Sequence, residues 1–320
     1  RLMKKWAMAA AVAACVWASS ATALEIRSFP TAPLYTYELD RAHGLSSLVV
    51  HNIAIINDTG APITLSEVRL ELRSGARVLE TRILGGPELA QAAARGVRIA
   101  QSGMLSAAAF VFGGDALLRG ATLAQSPTLA PGEALLLPTQ TFAFSGARDQ
   151  LVVRASGGPA PIETSITISS ELSRTAFAMP LRGSWYLGAG PTPHSHHRWA
   201  AMEEFADDFV RFGANNRTHR GDGARLSDYY AYGQPVLAAA AGVIAATADS
   251  EAEDAHAMRQ PGETQDAYMS RVGADQSARL ARGLVGIVGN YIVIDHGNGE
   301  YSVYAHLKPG SVRVRAGQRV

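Results

Sequence analysis

The chain has 320 residues, 47% of them hydrophobic, with 29 Lys and Arg against 28 Asp and Glu and one cysteine, Cys15. The balanced charge, with no clustered basic face, excludes a nucleic-acid footprint. The lone cysteine excludes a disulfide framework, while the length leaves room for two hydrophobic cores.

Met3-Lys4-Lys5 makes a positive start, residues 6–16 a short apolar stretch, and Ala21-Thr22-Ala23 an A-x-A cleavage site. Residues 1–23 therefore read as an export signal, and the mature chain is expected to begin at Leu24. Arg1-Leu2 ahead of Met3 reads as upstream codons. The apolar stretch is too short to favour a membrane span, so none is expected in the mature chain. Val12-Ala13-Ala14-Cys15 loosely fits a lipoprotein box, which makes lipid anchoring at Cys15 the lesser alternative to a periplasmic or secreted protein. Cleavage after Ala23 would remove Cys15 together with Arg1, Lys4 and Lys5. The mature chain would then be slightly acidic and hold no thiolate metal site.

Residues 24–180 read as an all-β domain. Residues 47–57 are strand-like, and Asp58-Thr59-Gly60-Ala61-Pro62 is a turn. Ile63, Leu65, Val68, Leu70 and Leu72 then alternate, with a slip near Glu67 that suggests a bulge. Ser74-Gly75-Ala76 turns into residues 77–83, and Leu129-Ala130-Pro131-Gly132-Glu133 turns into 134–138. Residues 150–155 and 164–168 supply two more strands. Strands at this spacing predict an immunoglobulin-like β-sandwich, and the Ala-rich residues 88–118 predict a helical insertion outside it. His43 and His51 lack partners at ligand spacing, so they read as structural or solvent-facing.

Gly and Pro concentrate in 181–193, a linker. Beyond it, 205–210 reads as a short buried strand, 215–228 as a polar loop, and 233–247 as a turn followed by two small-residue strands. Residues 249–282 are charged and partly helical, a surface insertion. The last predicted element is a hairpin, Gly289-Asn290-Tyr291-Ile292-Val293-Ile294-Asp295-His296-Gly297-Asn298-Gly299-Glu300-Tyr301-Ser302-Val303-Tyr304-Ala305-His306-Leu307. Its alternating apolar strands flank a Gly/Asn turn.

Four pieces follow in order. They are His197-Arg198-Trp199-Ala200, then Phe205-Ala206-Asp207-Asp208-Phe209-Val210, then Tyr229-Tyr230-Ala231-Tyr232-Gly233-Gln234-Pro235-Val236-Leu237-Ala238-Ala239-Ala240-Ala241-Gly242-Val243-Ile244, and last the hairpin with its Tyr304-Ala305-His306-Leu307, followed by Lys308-Pro309-Gly310-Ser311-Val312-Arg313-Val314-Arg315-Ala316-Gly317-Gln318. A hydrolytic mono-zinc site needs imidazoles and carboxylates that converge and leave a position open for water. Across 194–320 this succession resembles a lysostaphin-type zinc metallopeptidase domain, a family that cuts peptide cross-links in peptidoglycan. The resemblance implies Zn2+ as cofactor, His197 and Asp208 as metal ligands and His306 as the catalytic histidine. Asp208 is preferred to Asp207 because it directly precedes Phe209-Val210. Strand alternation sends only one of the two carboxylates to the site, leaving Asp207 facing away or in a supporting hydrogen bond.

The chain departs from the family pattern in three ways. The interval between His197 and Asp208 is long, the 249–282 insertion is long, and no His-x-His follows to supply a third ligand. The resemblance thus implies a metallopeptidase domain incomplete at its C-terminus, which as given would bind zinc weakly and hydrolyse little. His194-Ser195-His196 has the spelling of the missing motif but lies at the wrong end of the domain, and is set aside as a decoy. His219 reads as a loop residue, and His256 and His296 as exposed. The fold expected is mainly β: residues 1–23 a signal, 24–180 a sandwich, 181–193 a linker and 194–320 a β-sheet metallopeptidase domain. The expected substrate is a peptidoglycan peptide. The alternative is a catalytically degenerate peptidase-like domain serving as an envelope binding or regulatory module, with the sandwich contacting an envelope protein.

Overall fold

The computed structural model describes residues 24–31, 33–103, 105, 113–192, 194–254 and 258–320. The expected export signal, Cys15 and His256 lie outside the described residues. The fold is mainly β, and its organising element is the 13-residue strand β4 (Leu45–Asn57). The sheet order is β1 (Leu24–Phe29), β4, β10 (Glu133–Ser145), β8 (Thr122–Leu123), with β3 (Tyr37–Asp40) also paired to β4. A second five-stranded sheet runs β2 (Leu34–Tyr35), β12 (Ile162–Ser169), β11 (Gln150–Ser156), β6 (Glu67–Ser74), β7 (Arg77–Leu84).

One core joins the two sheets. Leu48, Val50, Ile53 and Ile55 of β4 share it with Val68, Leu70 and Leu72 of β6 and with Leu151 and Val153 of β11. The alternation of β6, apolar in and charged out, follows from the two-residue period of a strand with one buried face. The slip near Glu67 is a change of strand: β5 (Ile63–Thr64) pairs with β9 (Thr128–Leu129), and β6 begins at Glu67. In β4 the core-facing set changes parity between Val50 and Ile53. His51 and Asn52 fall at that change, and both are buried.

The predicted helical insertion is present as α1 (Gly86–Gln101) and α2 (Gly114–Leu118). It starts where Glu88 Oε2 accepts from Gly85 N, with a proline in the first turn. Leu117 and Leu118, with Ile99 and Leu105, cover Ala54, Ile56, Ala134 and Leu136 on the outer face of the first sheet. Strand β4 is therefore buried on both faces.

After β12 the chain runs without regular structure to β13 (Tyr186–Ala189), which pairs antiparallel with β14 (Asp208–Val210). The buried strand expected over 205–210 is thus only three residues long, and Phe205 is exposed. A three-stranded sheet follows, β15 (Val243–Ala248), β16 (Asn290–Asp295), β17 (Tyr301–Leu307). Of the two strands expected within 233–247 only β15 forms. The preceding segment makes scattered tertiary bonds instead, Leu237 N to Pro180 O and Ala178 N to Ala239 O. Gly242 ends it at a close approach, because a Cβ there would lie 2.5 Å from Asp295 O. The charged insertion carries α3 (Gln265–Leu280) and α4 (Leu284–Val288). Among the described residues no helix is long and apolar enough to cross a membrane.

The turn of the β16–β17 hairpin is not a free tip. Glu300 accepts from the Thr175 hydroxyl, from Arg174 N and Thr175 N, and from Ser173 Oγ. These bonds tie the segment leaving the sandwich to the hairpin. His296, expected to be exposed, is half-buried for the same reason: the segment brings Phe177 edge-on to its ring. Its nitrogens reach Ala241 O at 2.8 Å and Ser302 Oγ at 3.0 Å.

Candidate metal centre

The site begins with a turn. Ser195 caps a short 3-10 segment, His196–Trp199, and its side chain accepts from His197 N at 3.2 Å. The Ser in the His-Ser-His-His run thus folds the chain so that two successive histidines leave one tight turn. His197 is buried and His196 is exposed.

The His197 ring is fixed through both nitrogens. Nδ1 lies 2.9 Å from Ala206 O, and since a carbonyl only accepts, Nδ1 carries the hydrogen. Nε2 then presents its lone pair to Asp208 Oδ2 at 3.2 Å. Two acceptors facing each other at that distance require a cation or a second proton between them. A backbone carbonyl holding the far nitrogen is also how metal-ligating imidazoles are oriented.

Asp208 reaches this position from β14. The β13–β14 ladder shifts register between Leu187 and Ala189, so Gly188 is an extra residue beside Asp208. Such bulges re-aim neighbouring side chains. Asp207 points elsewhere: its Oδ1 lies 3.0 Å from where a Cβ on Gly190 would sit. Burial pushes the Asp207 carboxyl above its ordinary range; His197 opposes that shift and Asp208 adds to it.

His196 completes the group. Ligand atoms of His196, His197 and Asp208 all lie within 4.8 Å of one another, so the three can hold a metal ion. The donor set fits a first-row divalent ion: two imidazoles and a carboxylate are a known three-ligand set for catalytic zinc. Ligands about 2.0–2.1 Å from a tetrahedral ion stand about 3.3 Å apart, close to the His197–Asp208 spacing. The place of His196 corrects its dismissal as part of the His194-Ser195-His196 decoy, and with it the expectation that this chain offers only two donors. His194 is outside the cluster. The signal was present in the serine cap, since a tight turn can aim adjacent residues at a shared point where a strand cannot.

His306 is placed differently. The β16–β17 register shifts so that Ala305 and His306 both face Tyr291, and His306 takes a positive φ of 58°. This bulge turns the exposed His306 ring into a cleft of about 250 Å³ with Val272, Asp275, Gln276 and Arg279 of α3 and Gly286 and Ile287 of α4. Among the described residues it makes no hydrogen bond to His196, His197 or Asp208. His219 packs against Tyr229 and the Gly223 backbone, away from the cluster. His43 pairs with Asp40 on the surface.

A buried polar cluster not apparent from spacing lies next to His197 in the chain. Arg198 is fully buried, and Glu204 and His51 nearly so. Arg198 Nη1 pairs with Glu204 Oε1 at 3.1 Å, Arg198 Nη2 reaches Ser47 Oγ at 3.1 Å, and His51 Nε2 lies 2.9 Å from Glu204 Oε2. Burial pushes the Arg198 guanidinium below its ordinary value, opposed by the Glu204 charge. Comparison of the chain with protein-family models, with curated proteins and with solved structures finds no match.

Proposed function

We propose that the protein is an exported zinc metallopeptidase that hydrolyses peptide bonds in peptidoglycan cross-links. The observation that carries the reading is the His197 ring: its Nδ1 is committed to Ala206 O while its Nε2 faces Asp208 Oδ2 at 3.2 Å, with His196 beside them. The order of motifs over 194–320 adds the reaction class and the substrate. In this reading His196, His197 and Asp208 hold zinc, which when bound supplies Lewis acidity and a water acidified toward neutrality. Exposed Asp208 and His196 leave the centre open to a polymeric substrate, and the resemblance alone assigns His306 a general acid or base role. The export signal supplies the compartment.

A second reading, a degenerate module that binds metal or an envelope partner without hydrolysis, is favoured by the position of His306. It faces α3 and α4 and makes no bond to the cluster. One experiment separates the two. The full chain is digested against purified muropeptides with and without chelator, with zinc restored, alongside His197→Ala and His306→Ala. The peptidase reading expects chelator-sensitive cleavage lost in both variants. Cleavage that survives chelation and His197→Ala would refute a metal mechanism. Stoichiometric zinc binding without cleavage would establish the module.

A further inference from the structure

We propose that the sandwich strand β4 is part of the metal centre, with His51 acting as a positioning residue for His197 through Glu204. The inference rests on the reading of His196, His197 and Asp208 as metal ligands. Its geometry is a chain of contacts across the two halves of the molecule. His51 Nε2 holds Glu204 Oε2 at 2.9 Å, and Arg198 Nη1 holds the other oxygen at 3.1 Å. Both oxygens of one buried carboxylate are thus occupied, one from β4 and one from the residue that follows His197. Glu204 lies in a turn closed by Ala206 N to Glu203 O at 2.8 Å. The carbonyl of Ala206 is the acceptor that fixes His197 Nδ1. Arg198 is anchored a second time, to Ser47 Oγ of β4 at 3.1 Å. The residue after His197 and the turn that orients its ring are therefore both pinned to the same strand.

The unused nitrogen of His51 marks this as a directed bond. Among the described residues its Nδ1 is buried with no hydrogen-bond partner, as is Arg198 Nε. A buried polar atom left unpaired costs about 1–3 kcal/mol, so packing alone does not favour histidine here. What histidine contributes is one donor, the Nε2–H, aimed at Glu204. Both Glu204 oxygens are thereby met, one by His51 and one by Arg198, the latter a buried pair of opposite charge. Losing the His51 donor frees the 203–206 turn, moves Ala206 O and loosens the ring that presents Nε2 to the metal. Partners that orient metal-binding histidines typically change metal affinity about 10–100-fold.

The test uses the full chain loaded with Co2+, followed by its visible absorption and by competition with a calibrated chelator. His51→Phe fills the space without a donor; His51→Gln retains an N–H able to reach Glu204; Ser47→Ala removes the second Arg198 anchor. Metal-free unfolding curves of each variant report stability separately. The expected result is a roughly 10–100-fold weaker Co2+ affinity and an altered spectrum in His51→Phe, substantial recovery in His51→Gln, and a smaller loss in Ser47→Ala. Wild-type affinity and spectrum in folded His51→Phe and Ser47→Ala would overturn the inference while leaving the metal centre intact. If His51→Phe does not fold, Ser47→Ala decides alone. No Co2+ binding by the wild-type protein would overturn the inference together with the metal assignment.

Discussion

Replacing Glu204 by Gln keeps size and hydrogen-bonding capacity but removes the negative charge beside a fully buried Arg198. The guanidinium keeps Ser47 Oγ as a neutral partner, while its Nε has none among the described residues. Breaking a buried ion pair from one side typically costs about 3–5 kcal/mol, because the remaining charge is stranded. Glu204 retains slight exposure, so the lower end, about 3 kcal/mol, is expected here. With a urea m-value of about 2–3 kcal/mol/M, that shifts the unfolding midpoint down by about 1–1.5 M. The double variant Arg198→Met with Glu204→Gln leaves no buried charge, and the new amide oxygen still accepts from His51. It should recover about 2 kcal/mol of the loss. Urea titrations of the three proteins, followed by tryptophan fluorescence, check this. A single-variant cost below about 1 kcal/mol, or a double variant no more stable than the single, would refute the claim that the pair is desolvated.

Other outcomes follow from separate features. Asp208→Asn and His197→Ala should abolish tight metal binding and His196→Ala should weaken it, as read by equilibrium dialysis; a His196→Ala protein with full affinity removes it from the ligand set. The Glu300 carboxyl is held down at about 2, first by the Thr175 hydroxyl and then by Arg174 N. A depressed carboxylate stabilises the fold above its ordinary value of 4.5, and that contribution is lost as pH falls from there toward 2. Glu300→Gln should therefore flatten the fall in stability between pH 4.5 and 2, measured by urea titration at stepped pH. Gly157 has φ of 149°, and a Cβ there would lie 2.2 Å from Thr64 O, so Gly157→Ala should cost about 2–4 kcal/mol. Leu70→Ala, in the shared core, should cost about 2–5 kcal/mol by the same assay.

The sandwich was legible because its strands carry local information. Val68, Leu70 and Leu72 alternate, Gly75 and Gly132 supply positive φ at the turns, and residues 88–118 change period. The hairpin was legible for the same reasons. What escaped depends on contacts between distant residues. His51 gives no sign along β4 that Glu204 will meet it, since 153 positions separate them. His296 reads as a turn residue until Phe177 is packed against it. His306 reads as the catalytic histidine that ends the second hairpin strand, yet one bulge re-aims it, and two residues opposing one leave no mark in an apolar alternation. At the centre, His197 and Asp208 were readable as an ordered pair. His196 was set aside with the His194-Ser195-His196 spelling, although the Ser195-capped turn that aims it beside His197 was there to be read.

The double burial of β4 has a bearing on the order of folding. Ser47 and His51 leave the ribosome long before Arg198 and Glu204, and domains tend to fold as units. The sandwich can close its core with Leu48, Val50, Ile53 and Ile55 before the later half is available. It would then present a polar patch on the outer face of β4 with two unmet side chains, a template onto which the 196–206 loop condenses. A chain held unfolded for export would reach its destination with both halves free at once, and the loop's two charges would have to find β4 before pairing with the abundant surface charges of 249–282. Assembly of the metal centre would then be a late step, limited by docking of the two halves rather than by closure of either one.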